Sequence, residues 1–155
     1  MNLKNLSKNL VKFLKLSNQF LIVASLFLSA SIFPAVQVIK PSENSYQDIQ
    51  EALILAEPGD VIRLSAGVFS LEDSLSLDVA GVQIEGEGMS QTILDFSNQL
   101  SGAQGLSVTS NNVTLQDFAI QNAKGDAIKV KGVTNIKFLR VKTEWTNGPS
   151  SDNGA

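Results

Sequence analysis

The chain has 155 residues, of which 43% are hydrophobic and 17% charged, with a formal net charge of −3. That suits one domain with a real core and excludes a collagen-like or wholly disordered chain. Cysteine and histidine are both absent, which removes disulfides, thiolate metal sites, a cysteine nucleophile, a lipidated leader cysteine, Ser-His-Asp catalysis and imidazole ligands from this stretch.

Lys4, Lys8, Lys12 and Lys15 precede residues 20–33, a run of 14 uncharged residues. This is the basic n-region and apolar h-region of an export signal. Small residues at Ser29 and Ser31 permit cleavage after Ser31, whereas cleavage after Ala35 would place bulky Phe33 at the minus-three position. The alternative is an uncleaved anchor, since residues 16–39 carry no charge, although Ser17, Asn18, Gln19 and Pro34 dilute the run. The expected organisation is a signal peptide or anchor over residues 1–35, an N-terminal capping segment over 36–59, repeated strands over 60–145 and a loop over 146–155. Without the leader, eight basic residues face fifteen acidic ones, a net charge of −7. Nucleic acid is then not an expected partner, and membrane contact is expected only through the leader if it is retained. Six of those eight basic residues, Lys124, Lys129, Lys131, Lys137, Arg140 and Lys142, lie in one short stretch.

Ser45 followed by Asp48 reads as an acidic variant of a capping box, and Ile49, Ala52, Leu53 and Ala56 follow at helical spacing. The pattern predicts one short amphipathic helix over residues 46–56, ended by Pro58 and Gly59. From Asp60 onward the chain turns to short alternating segments separated by Gly, Ser and Asn, a strand-and-turn pattern.

The alternating segments form three series of apolar pairs. Leu75 and Leu77, Leu106 and Val108, and Ile128 and Val130 make the first; Val82 and Ile84, Val113 and Leu115, and Ile136 and Phe138 the second; Leu94 and Phe96, Phe118 and Ile120, and Val141 and Thr143 the third. Their steps are 31 and 22, 31 and 23, and 24 and 23 residues, and Ile62 and Leu64 add an incomplete earlier turn. A period in the low twenties with three short strands predicts an all-β, right-handed parallel β-helix, a solenoid of about three rungs with an N-terminal capping helix. Leu75, Leu106 and Ile128 would then form one interior column. Asn112 and Asn135 fall just before second-series strands, where a sharp corner would use the left-handed backbone that asparagine tolerates. An antiparallel sandwich would also alternate but does not predict synchronised series.

The stretch Gly59-Asp-Val-Ile-Arg-Leu-Ser-Ala-Gly-Val-Phe69, with Val82-Gln-Ile-Glu-Gly-Glu-Gly88 and Asn112-Val-Thr-Leu115, resembles the opening of pectin-lyase-like right-handed β-helix proteins. Within that superfamily it is most similar to a bacterial exported β-helix repeat family of uncharacterised role, over residues 45–145. The resemblance implies a helix plugging the first rung. It also implies a family whose members include lyases, hydrolases and epimerases of acidic polysaccharides, among which fold likeness does not choose. Such chains usually continue for many rungs to a cap, so the likeness implies an N-terminal fragment. No cofactor is evident; calcium enters by family analogy alone.

The outward first-series positions are Ser76, Ser107 and Lys129, and in enzymes of the resembled type a substrate groove commonly follows such a face. Lys129, Lys131, Lys137, Arg140 and Lys142 would attract a carboxylated sugar chain, and Trp145, the one tryptophan, would stack on a sugar ring. The plainer account is that these lysines solvate outward strand positions and discourage edge pairing, and that Trp145 packs over an exposed end. For lyase chemistry Arg140 or Lys129 would be the base, with no acidic cluster to supply calcium, Asp126 and Glu144 being scattered. Glu85 with Glu87, or Asp95 with Asp117, would be the carboxyl pair of a hydrolase. The insertion over residues 97–104 would project beside the groove, its polar residues either binding sugar or merely filling. Catalytic residues are not identified, no metal site is expected, and whether the protein is an enzyme stays open. The expected function is an exported polysaccharide-binding or structural module of the cell envelope, periplasmic, secreted or at the cell surface, with an acidic polysaccharide as partner. The alternative is a polysaccharide lyase or related enzyme whose catalytic rungs lie downstream.

Overall fold

The computed structural model describes residues 34–146. The leader assigned to residues 1–35 and the tail after Thr146 therefore lie almost wholly outside the described residues. Ten strands and one helix follow one another: β1 (Val36–Ile39), α1 (Ser45–Leu55), β2 (Val61–Leu64), β3 (Gly67–Ser70), β4 (Leu75–Leu77), β5 (Gln83–Glu85), β6 (Thr92–Asp95), β7 (Leu106–Val108), β8 (Thr114–Gln121), β9 (Ile128–Val130) and β10 (Lys137–Glu144). Every strand pairing is parallel. β1-β2-β5-β8-β6-β3, with β10 also on β8, make one seven-stranded sheet, and β4-β7-β9 make a separate three-stranded sheet.

This overturns the expected all-β, three-rung β-helix. The architecture is mixed: one helix, a large parallel sheet curled into a half-barrel, and a second small sheet. The reason lies in β8 and β10. The second and third series were expected to be separate strands divided by a corner. Instead Thr114–Gln121 and Lys137–Glu144 each run as one eight-residue strand, and the sheet bends without ending where Asp117 (φ 61°) and Arg140 (φ 53°) take the left-handed conformation. Two anticipated tracks thereby fuse into one curled sheet.

The third-series register also differs. Leu94 lies beside Ile120, 26 residues on, and not beside Phe118. The insertion after Asp95, which lies between β6 and β8, makes that step longer than the repeat. The first series keeps its spacing, with Leu75 beside Leu106 and Leu106 beside Ile128. Asn112 (φ 60°) and Asn135 (φ 58°) both occupy left-handed corners, and the Asn135 amide donates to Asn112 Oδ1 at 2.7 Å. β1 and β3 had no counterpart among the three series.

The helix begins differently from its predicted capping box. Asn44 occupies the N-cap without a side-chain bond. Ser45 is already helical and buried, its hydroxyl donating to the Ser42 carbonyl at 2.7 Å. Asp48 instead accepts from the Ser42 hydroxyl at 2.7 Å. The apolar stripe is as spaced: Ile49, Ala52 and Leu53 are buried, and α1 packs on β4, β3 and β1.

Alternation builds the core. Ile62, Leu64, Phe69, Leu75, Leu77, Ile84, Leu94, Leu106 and Leu115 point inward together with Phe96 and Phe118, each at most 1% exposed. Burial stabilises by about 1.5–3 kcal/mol per large apolar side chain. The buried polar groups are satisfied: Thr92 Oγ1 accepts from the Glu87 amide at 2.9 Å, and the buried Gln99 donates to the Gln104 carbonyl at 2.9 Å and accepts from the Lys124 amide at 3.0 Å. Gln99 thus staples the 97–104 insertion down by an inward side chain.

Candidate functional site

In-register parallel pairing has a consequence for the outer surface. Side chains at equivalent positions stand in columns, about 4.8 Å apart from strand to strand. Ser76, Ser107 and Lys129 form such a column on the three-stranded sheet. On the large sheet, Ser70, Asp95, Gln121 and Glu144 form a polar column. Val68, Ile93, Ala119 and Lys142 form a second column, two residues back along the same strands.

The six predicted contact residues do not assemble into one patch. Lys129 and Lys131 belong to β9 and the turn after it, while Lys137, Arg140 and Lys142 belong to β10 on the other sheet. Two are neutralised: Arg140 Nη2 donates to Asp117 Oδ2 at 2.7 Å, and Lys142 Nζ lies 2.6 Å from Glu144 Oε2. Among the described residues Lys129, Lys131 and Lys137 are exposed and in no ion pair. Trp145 is half-buried against the core, its indole donating to the Ala123 carbonyl at 2.6 Å. It packs against the core and keeps part of its surface exposed.

The candidate acids and bases fare similarly. The hydrogen bond and charge of Arg140 hold the Asp117 carboxyl below its ordinary value, and Asp117 in turn raises the Arg140 guanidinium. Arg140 therefore stays protonated, which does not suit a base, and Asp117 stays ionised, which suits a base or nucleophile but not a general acid. Glu85 is bound to Arg63 at 3.1 Å. The glycine between Glu85 and Glu87 serves packing, since a Cβ at Gly86 would stand 2.9 Å from both Phe118 Cβ and Thr92 Cβ. Asp95 accepts from the Ser97 hydroxyl at 2.7 Å and from the Asn122 amide at 2.9 Å. Among the described residues no group of three Asp or Glu converges as metal ligands, and no helix there is long and apolar enough to cross a membrane.

The two outward columns on the large sheet meet at an open cleft of about 470 Å³, lined by Met89, Ser90, Ile93, Gln121, Lys142 and Glu144. The Gln121 amide donates to Glu144 Oε1 at 2.7 Å. Hydrogen bonds from Lys142 and then Gln121 draw the Glu144 carboxyl below its ordinary value. Of these residues, Lys142 alone stood among the predicted contacts. The 23-residue step from Gln121 to Glu144 is visible in the sequence, but the 26-residue step into β6 hides Ile93 from that repeat. No protein family, curated protein or solved structure matches this chain, so the likeness to pectin-lyase-like proteins rests on the quoted residues.

Proposed function

We propose that this chain is a non-catalytic polysaccharide-binding module of the bacterial cell envelope, exported by its basic and apolar leader. The observation that carries the reading is the columnar surface. Outward positions recur from strand to strand in one register, so a polymer lying along the column of Ser70, Asp95, Gln121 and Glu144 meets evenly spaced polar side chains beside the row that holds Val68 and Ile93. The engagement of Arg140 by Asp117 removes one of the two candidate bases for lyase chemistry.

The test is to challenge the full chain with a panel of neutral and uronate polysaccharides in affinity electrophoresis, and in parallel to follow the absorbance of unsaturated ends on pectate and alginate with and without calcium. Retardation by at least one polymer with no rise in absorbance is the expected result. Retardation by none overturns the binding reading, and a rise in absorbance overturns the non-catalytic one.

A further inference from the structure

The charge around the cleft points away from the acidic partner that the lysine cluster suggests. Lys142, the one cation in its lining, is cancelled by Glu144 at 2.6 Å. The next rung of the polar column is Asp95, a carboxylate bound by hydroxyl and amide donors and, among the described residues, in no ion pair. Arg140, two residues before Lys142 on β10, is engaged by Asp117. The local field is therefore neutral to negative, and the chain as a whole is acidic at −3. A uronate carboxylate entering here would lose hydration and meet like charge.

What the cleft does offer is an apolar floor beside polar rims. Ile93 is half-buried on β6, Met89 is 41% exposed in the loop before it, and Ala119 is fully covered between Ile93 and Lys142. Alongside run the Gln121 amide, the Glu144 carboxylate, the Ser90 hydroxyl and the Lys142 ammonium. That pairing of an apolar strip with planar and hydroxyl groups at its edge suits a ligand with C–H faces and uncharged hydroxyl edges.

We infer that the cleft lined by Met89, Ile93, Gln121, Lys142 and Glu144 binds an uncharged, hydroxyl-rich glycan segment. The inference rests on the polysaccharide reading and names the polymer class and the face that takes it. Lys129, Lys131 and Lys137, on or near other columns, play no part in it.

The experiment is affinity electrophoresis of the full chain in gels containing a neutral β-glucan, a neutral galactomannan, pectate or alginate. Ionic strength is varied from about 0.01 M to about 1 M, over which the screening length falls from about 30 Å to about 3 Å. The expected result is retardation by a neutral polymer that salt leaves unchanged. Met89→Asp at the exposed rim and Gln121→Ala should each weaken it by about tenfold, the effect of losing one good contact, while Lys129→Ala leaves it intact. Far-ultraviolet circular dichroism of each variant separates loss of the site from loss of the fold; a variant that unfolds is replaced by Met89→Lys, which must show the same loss. Retardation by pectate or alginate alone, abolished by salt, overturns this inference while the polysaccharide reading stands. Neutral binding indifferent to the Met89 and Gln121 variants overturns the assignment to this cleft. Binding to no polymer overturns both readings.

Discussion

At the level of single residues, the left-handed positions carry the most information. Asn112 and Asn135 pay little to adopt φ near 60° because their short amides bond locally, and the two are tied to each other. Asn112→Ala should lower the unfolding free energy by about 1–2 kcal/mol, and Asn112→Gly should recover about 1 kcal/mol of that loss by relieving the backbone; urea denaturation of the three proteins checks both. These two corners were legible in the sequence because asparagine at a 23-residue step is a turn signal. Asp117, between the second- and third-series segments, also falls at a corner position; the left-handed Arg140 was not legible, because arginine carries no such signal, and its bond to Asp117 accompanies its placement. The bond from the Trp145 indole to the Ala123 carbonyl has no counterpart in the periodicity.

At the level of elements, β10 is held to β8 by side-chain bonds as well as by the backbone ladder. Besides its ladder to β8 it is attached through Arg140 to Asp117 and through Glu144 to Gln121. Asp117 and Glu144 both have folded carboxyl values below the ordinary ones. Their contribution is therefore complete above the ordinary carboxylate range and is lost as the pH falls through it toward the lowered values. The stability difference between the native protein and Asp117→Asn, whose asparagine tolerates the left-handed backbone, should be largest near pH 7 and narrow progressively below about pH 4. Urea midpoints across that range measure it, and a gap that widens in acid would contradict the assignment. The helix and the alternating strands could be read from periodicity, because one face of each is buried. The fusion of two strand series into one sheet could not, because a corner taken within a strand leaves the alternation pattern looking like a break.

At the level of the molecule, the two sheets distribute the basic residues that the linear sequence had brought together. Clustering between Lys124 and Lys142 is a property of the chain order; in space, one group decorates β9, another β10, and the ion pairs remove Arg140 and Lys142 from the free charge. The cleft was invisible to sequence reasoning for a related reason: Met89 and Ile93 reach Gln121 and Glu144 only through the long step between β6 and β8. Both functional readings depend on outward side chains standing in columns, so the register itself is the claim to test. The chain lacks cysteine, and spin labels can therefore be placed in pairs at positions 70, 95 and 121. In-register parallel strands put Ser70 beside Asp95 and Asp95 beside Gln121, about 4.8 Å apart, and Ser70 about twice that from Gln121. Strong spin–spin broadening for the 70–95 and 95–121 pairs, and much weaker broadening for 70–121, is the predicted result. Equal broadening of all three pairs, or none in the neighbouring ones, would contradict the columnar surface and the binding built on it.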